Sequence, residues 1–128
     1  MINCPFLSII RLLNDQKEVT MSLEELQTKI STSDGVLLYF WGDNCNVCEA
    51  LRPKIKGAFE ENFPKIEQIY LNAKEQIEIS AHYNVFSIPT MMVFLDGKEF
   101  VTTSRNVSID QLITQIDRPY SMMFGDDL

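Results

Sequence analysis

Two short runs of apolar residues, 36–41 and 90–95, constrain the fold of this chain more than any other feature. Neither run alternates with polar residues, which is typical of a strand that is covered on both faces. Both are far shorter than the roughly 20 apolar residues that a membrane-spanning helix needs. The runs therefore predict buried central strands of a sheet, with helices packed on its two sides.

Amphipathic segments around these runs predict the helices. Ser22 begins a sequence with the spacing of a capping box and marks the start of the first helix. A long helix is predicted from Cys45, kinked at Pro53, and shorter helices are predicted over residues 74–83 and after Ser108. The side chains predicted to face the core from these helices are Leu23, Leu26, Ile30, Cys48, Leu51, Ile55, Phe59, Phe63, Ile77, Ala81, Ile109, Leu112, Ile113 and Ile116.

Three further strands complete the predicted sheet. We expect them near residues 18–21, over residues 66–71 and, after a hairpin turn at Asp96-Gly97, over residues 98–103. A short helix over residues 5–14 precedes the first strand. The order βαβαβαββα predicts an α/β fold, in which parallel strands joined by helical crossovers and a C-terminal hairpin form a mixed sheet with helices on both faces. Functional residues of such sheets lie at the C-terminal ends of strands.

The chain is expected to form one domain with short extensions, because its 128 residues contain no repeat, linker or low-complexity tract. The predicted parts are an N-terminal helical extension over residues 1–17, a domain over residues 18–118 and a C-terminal tail over residues 119–128. Apolar residues near the C-terminus are open to two interpretations, a partner-binding patch or a segment that folds back on the domain. These residues are Tyr120, Met122, Met123 and Phe124.

The charge of the chain argues against several classes of partner. Its formal net charge is −7 and it has no basic cluster, so neither nucleic acid nor a membrane is an expected partner. The first basic residue, Arg11, falls inside the apolar stretch 6–13 and not before it, so a signal peptide is not indicated. A cytoplasmic location is therefore expected.

Cys45 and Cys48 are the strongest functional signal in the sequence. Cys45 follows the loop 42–44 at the start of a predicted helix, where unpaired amide groups and the helix dipole lower the pKa of a thiol. Cys48 lies one turn further on the same face, within the Cα separation that a disulfide tolerates. We expect a reversible dithiol–disulfide pair in which Cys45 attacks and Cys48, deeper against the sheet, resolves the mixed disulfide.

A static disulfide and a zinc site are the alternatives to redox chemistry for this pair. A zinc site would have to recruit Cys4 and His82, and His82 has no second ligand at helical spacing. His82 is therefore expected to be an ordinary surface histidine. Cys4 is expected to be a partly buried thiol, with intermolecular cross-linking or regulation as its other possible roles. No metal or cofactor is expected.

The segment from Tyr39 to Cys48 resembles the active-site segment of the thioredoxin family. Pro53 matches the proline that kinks the helix after that site, and residues 83–90 are similar to the segment around the family's cis-proline. Asp96-Gly97-Lys98 matches the hairpin that follows. The resemblance covers roughly residues 18 to 117 and implies the thioredoxin fold.

This resemblance implies a small thiol:disulfide oxidoreductase that reduces disulfides of client proteins without a bound cofactor. Its electrons would come from a flavoprotein disulfide reductase or another thiol donor. The resemblance also implies a cis peptide bond before Pro89, which would place the Ile88 main chain where an extended client segment can pair with it. Trp41 would flank Cys45 on the client-facing surface.

The chain departs from the family's pattern at several positions of the site. Asn46-Val47 stands where thioredoxins usually have Gly-Pro, and Asn44 replaces a second tryptophan. Tyr39 replaces a buried acid and Tyr70 a lysine, so the usual proton acceptor for Cys48 is missing. These departures leave a thioredoxin-fold adaptor or chaperone-like module with weak or no redox activity as the alternative function. An oxidase or isomerase of an oxidising compartment is disfavoured by the small number of cysteines.

Overall fold

A computed structural model describes residues 20–125 of the chain. The elements in chain order are α1 (Leu23–Thr32), β1 (Gly35–Trp41), α2 (Asn46–Asn62), β2 (Glu67–Asn72), α3 (Ile77–His82), β3 (Thr90–Leu95), β4 (Lys98–Ser104) and α4 (Ile109–Phe124). None of the helices in this part of the chain has the length and apolar character needed to cross a membrane.

The N-terminal predictions fall largely outside the described residues. The extension over residues 1–17 and its helix over residues 5–14 lie wholly outside them. Of the strand predicted near residues 18–21, only Thr20 and Met21 are described, and neither is part of a strand.

The described sheet has four strands in the order β2-β1-β3-β4 and is mixed, as predicted. β1 and β2 are parallel, and α2 crosses between them. β3 and β4 form the predicted antiparallel hairpin. At its turn Asp96 and Gly97 have φ angles of 55° and 79°, the left-handed pair that a two-residue hairpin loop requires.

The predicted direction of β3 is wrong. A helical crossover from β2 implies a parallel strand, but β3 runs antiparallel to β1, with Thr90 beside Phe40 and Leu95 beside Gly35. The connecting helix α3 has only six residues, so it spans about 9 Å, whereas a strand of that length spans about 20 Å. Because α3 is too short to carry the chain back along the sheet, β3 begins at the end where β1 finishes.

Strand β1 contributes to both halves of the core because successive side chains of a strand point to opposite faces. Leu37 and Tyr39 pack in the half of the core formed with α2 and α4. Val36, Leu38 and Phe40 pack in the half formed with α1 and α3. All five side chains are buried, as predicted for a strand that is covered on both sides.

The predicted inward faces of α1, α2 and α4 are confirmed, but that of α3 is wrong. Ile77 is 68% exposed, and Ala81 is exposed too. Ile79 and Ser80 are buried instead. The Asn72 side chain accepts hydrogen bonds from two backbone amides of the turn before α3, so the helix begins later than residue 74 and presents a different face.

The last helix is longer than predicted. α4 continues through Pro119 to Phe124, in residues assigned to the C-terminal tail. The ring of Tyr120 packs on Phe63 with 5.0 Å between centroids, and its hydroxyl accepts a hydrogen bond from the Lys65 backbone N–H (3.1 Å). These contacts compensate for the helical hydrogen bond that a proline removes, so this part of the chain folds back on the domain.

Candidate active site

Cys45 lies at the N-terminus of α2, where the sequence predicts it. It is the N-cap residue, and its Sγ accepts a hydrogen bond from the Cys48 backbone N–H (3.1 Å). Asn44, immediately before it, has a φ of 57°, a left-handed conformation that asparagine adopts more readily than most residues. Because the sulfur caps the helix, a thiolate formed at Cys45 would receive the same amide N–H and the positive end of the helix dipole.

The two cysteines form a disulfide whose ends differ in exposure. Their Cα atoms are 5.2 Å apart. Cys48 is 2% exposed, whereas Cys45 is half-buried. Cys45 is therefore the more accessible of the two cysteines to another protein.

The loop before the cysteines touches the loop before β3. A Cβ atom added at Gly42 would lie 2.6 Å from the Ile88 Cδ1 atom, so the absence of a side chain allows this approach. The Ile88–Pro89 peptide bond is cis, and Pro89 is buried. The loop before Cys45 and the segment before β3, which both contain candidate residues predicted from the sequence, are therefore in contact in the structure.

A groove of about 560 Å³ opens between these two loops and α3. Asp43 and Asn44 line it on one side, and Ile77, Phe86 and Ile88 line it on the other. Phe86 is 86% exposed and Ile77 is 68% exposed. Large apolar side chains that remain exposed beside a groove are typical of a binding surface. Neither residue is predicted as part of the site from the sequence, because the helical pattern places Ile77 in the core and Phe86 belongs to no periodic pattern.

Tyr39 lies beneath the cysteine pair as a hydrogen-bond donor. Its hydroxyl donates to the Cys48 backbone carbonyl (2.7 Å), and its ring packs on Tyr70 with 5.2 Å between centroids. Burial raises the pKa of Tyr39 to about 12, although the nearby Arg52 charge acts in the opposite direction. The phenol is therefore neutral at pH 7 and cannot accept the Cys48 proton as a carboxylate can.

Arg52 lies on the Cys48 side of the disulfide. Its guanidinium carbon is 4.8 Å from the centroid of the Trp41 ring and 5.0 Å from that of the Tyr70 ring. Trp41, Cys48, Glu49 and Arg52 line a recess of about 130 Å³, here called the Cys48 recess. Trp41 thus lies beside Cys48 in this recess, whereas the resemblance implied a position beside Cys45. Arg52 is not among the site residues predicted from the sequence. The feature that could have identified it is its position four residues after Cys48, on the same face of the helix.

His82 is a surface residue, as predicted. Its Nε2 atom is 3.2 Å from Nε2 of Gln27, and its ring packs edge-on against Tyr83 with 4.7 Å between centroids. Cys4, the other conceivable zinc ligand, lies outside the described residues. Within residues 20–125 no three His, Cys, Asp or Glu side chains are grouped so that they could hold a metal ion.

Comparison with known proteins agrees with this geometry. The thioredoxin family model matches residues 17–118. The chain belongs to the thioredoxin family. Together with the Cys45–Cys48 disulfide, this membership identifies a thiol:disulfide oxidoreductase and confirms the resemblance on which the sequence analysis relied.

Individual relatives extend the comparison to nearly the whole chain. The thioredoxin-like protein YdfQ of Bacillus subtilis is 30% identical over 112 residues, which are 86% of this chain and 99% of YdfQ. Thioredoxin of the same species is 36% identical over 74 residues, 57% of this chain and 70% of that protein. The solution structure of oxidised thioredoxin from Plasmodium falciparum has a TM-score of 0.67 at 22% identity and covers 78% of this chain and 97% of its own. The likeness to that structure shows that the fold is shared.

Proposed function

We propose that this thioredoxin-family protein reduces disulfide bonds of other proteins by cycling Cys45 and Cys48 between dithiol and disulfide. The observation that carries the proposal is the asymmetry of the pair. Cys45 retains access to solvent and caps α2, whereas Cys48 is 2% exposed behind it. This arrangement suits one sulfur that meets the client and one that acts only within the protein.

The reaction takes two exchanges of sulfur bonds. The Cys45 thiolate attacks one sulfur of the client disulfide, so that a Cys45–client bond forms and the other client sulfur leaves as a thiolate. Cys48 then loses its proton and attacks the Cys45 sulfur. The Cys45–Cys48 bond forms and the second client sulfur leaves with the electron pair. The client disulfide is thereby reduced and the two cysteines are oxidised.

Client recognition is proposed for the groove beside Cys45. An extended client segment would pair with the Ile88 main chain before Pro89, in the manner of an added strand. Phe86 and Ile77 would contact apolar client side chains, and Trp41 is proposed to flank the cysteine pair. Exposure of 86% at Phe86 supports this use of the surface.

The oxidised pair must be reduced again after each cycle. We propose that a flavoprotein disulfide reductase, or another thiol donor, supplies the electrons, and that the protein works in a reducing compartment such as the cytoplasm. The few cysteines of the chain are consistent with such a compartment.

The proposal is tested by trapping clients on a Cys48→Ser variant. This change leaves Cys45 at its helix N-terminus but removes the intramolecular attack that normally resolves the mixed disulfide. Clients should accumulate as adducts that a reductant releases. Cys4→Ser in the same background should leave trapping intact. If Cys48→Ser captures no more protein than a Cys45/Cys48 double variant, reduction of protein disulfides is rejected.

An adaptor or chaperone-like function with weak redox activity is the second candidate, and the neutral Tyr39 phenol favours it. Without a buried base, the resolving step could be too slow for a reductase. Insulin reduction driven by a small dithiol or by a thioredoxin reductase separates the two functions. Turnover above the rate of the dithiol alone supports the reductase, and its absence in folded protein supports the adaptor.

A further inference from the structure

We propose that Arg52 is a positioning residue for the resolving step, which favours the thiolate of Cys48 while the proton leaves to solvent water through the Cys48 recess. This inference rests on the proposed function, because it concerns the second exchange of sulfur bonds. The Tyr39 hydroxyl donates a hydrogen bond at the position where a base for Cys48 would be expected, so the thiolate must be favoured in another way. Arg52 would act by stabilising the charged product of deprotonation and not by accepting the proton.

The helix places one cation and one anion beside Cys48. Arg52 is four residues further along α2, one turn away on the same face, and Glu49 is the next residue. Both line the Cys48 recess with the cysteine itself. Arg52 is half-buried, while Glu49 is exposed. A partly desolvated charge interacts more strongly than one in water, so the cation should outweigh the anion.

The surrounding elements add no other charge to the described lining of this recess. Tyr39 approaches from the sheet as a neutral phenol, the Tyr70 ring lies against Arg52, and Trp41 approaches from the end of β1. Asp43, in the loop before the cysteines, lines the groove and is not among the described residues that line this recess. Among the described residues that line this recess, Arg52 and Glu49 are therefore the charged ones.

The aromatic rings give Arg52 a defined position. Its guanidinium group lies within 5.0 Å of the ring centroids of Trp41 and Tyr70, and such contacts are favourable for a planar cation. Arginine stays protonated at any pH at which the protein is folded. Burial raises the pKa of Tyr39 to about 12 and the Arg52 charge acts in the opposite direction; the Tyr39 hydroxyl is bonded to the Cys48 carbonyl.

The resolving step can be written without a protein base. In the mixed disulfide the Cys48 thiol transfers its proton to water in the open recess and becomes a thiolate beside Arg52. The thiolate forms a bond to the Cys45 sulfur, and the bond between Cys45 and the client breaks. The electron pair leaves with the client sulfur, which takes a proton from solvent. No other oxidant or reductant is needed.

The test is a titration of Cys48 in a Cys4→Ser/Cys45→Ser background, where it is the remaining cysteine. Ultraviolet absorbance of the thiolate reports the midpoint without requiring a reagent to reach the buried sulfur. Arg52→Met should lower the thiolate fraction at pH 7 about three- to tenfold, and Arg52→Lys should restore part of it. Glu49→Gln should raise the fraction about twofold, because it removes a charge of the same sign as the thiolate.

A matched control separates this local effect from the loss of net charge. Lys54→Met removes one positive charge from an exposed position of the same helix and should leave the Cys48 midpoint unchanged. The opposite signs expected for Arg52→Met and Glu49→Gln also exclude a general disturbance, which would move both midpoints the same way. If Arg52→Met does not fold, Arg52→Gln, which removes the charge but keeps a polar side chain, repeats the test with the same expected loss of thiolate.

The results distinguish this inference from the proposed function. An unchanged midpoint in folded Arg52→Met overturns the role of Arg52 even if the wild type reduces client proteins. A wild type that reduces no protein disulfide rejects the proposed function, yet the titration still reports the field at Cys48. In the full chain with all cysteines present, Arg52→Met should slow insulin reduction by a factor similar to its loss of thiolate.

Discussion

Tyr39 shows how one residue alters both the stability and the chemistry of the site. Its ring is fully buried in the half of the core that contains α2, and its hydroxyl donates to a carbonyl in the first turn of that helix. An acid at this position could exchange a proton with Cys48. The phenol instead ties the active-site helix to the central strand. Compared with an acid at this position, tyrosine therefore adds a structural hydrogen bond but provides no base for Cys48.

Tyr39→Phe should be less stable than the wild type at pH 7, by about 1 kcal/mol, because one hydrogen bond is lost. The gap should close at high pH. The folded-state pKa of Tyr39 is raised to about 12, above the unfolded value of 10.0, so its contribution is complete below about pH 10 and is lost as pH rises towards 12. Urea unfolding of both oxidised proteins at pH 7, 10 and about 11 measures the gap.

Tyr83 provides the control for this pH dependence. Burial also raises its pKa, so it weakens both proteins in the same direction at high pH. The difference between wild type and Tyr39→Phe isolates Tyr39. A gap that stays constant from pH 7 to 11 would contradict the assignment.

At the scale of helices and strands, long elements were predictable and short connections were not. The faces of α1, α2 and α4 follow from a period that repeats over several turns. Helix α3 has too few turns for its period to be read, and the Asn72 side chain sets where it begins. The direction of β3 depends on that same short helix. In the site, the positions of Cys45 and Cys48 could be predicted from the start of their helix. The position of Arg52 could not, because it depends on the Trp41 and Tyr70 rings of the sheet against which Arg52 packs.

Helix α4 offers a test of the two interpretations of the C-terminal apolar residues. Tyr120 packs on Phe63 and Phe124, with ring centroids 5.0 Å and 4.5 Å apart. Tyr120→Ala should therefore lower the free energy of unfolding by about 2–4 kcal/mol. Met122 is 76% exposed on the same helix, and Met122→Ala should change it by less than about 0.5 kcal/mol. Chemical denaturation measures both. Equal effects would mean that the helix end does not pack on the domain as described.

At the scale of the whole molecule, the net charge of −7 acts on any client before contact is made. An acidic protein attracts basic partners and repels acidic ones over about one Debye length, which is roughly 10 Å at 0.1 M salt. In the groove proposed for client binding, Ile77 and Phe86 would then provide apolar contacts that salt does not screen. Encounter and docking should therefore respond differently to ionic strength.

Two synthetic peptides, each with one disulfide but flanked by lysines or by glutamates, would separate these contributions. Raising the ionic strength from about 0.02 to about 0.2 M should slow reduction of the lysine peptide several-fold and accelerate that of the glutamate peptide. A peptide with neutral flanks serves as the reference. Rates are measured at low peptide concentration, where the reaction is second order and its rate constant includes the encounter step. Identical salt dependence for all three peptides would show that net charge does not steer clients.

Because β3 follows the short helix α3, the two proposed tasks of the site, sulfur exchange and client binding, belong to separate segments of the sequence. The reactive sulfurs belong to one turn of α2, whereas Phe86 and Ile88 arrive from a segment beyond the next strand and helix. Mutation can therefore act on each task alone. Substitutions at residues 86–88 should change which clients are bound and leave the reactivity of Cys45 and Cys48 unchanged. In a chimera of two family members, the donor of this loop should decide which clients are bound, and the donor of the helix should decide how fast they react.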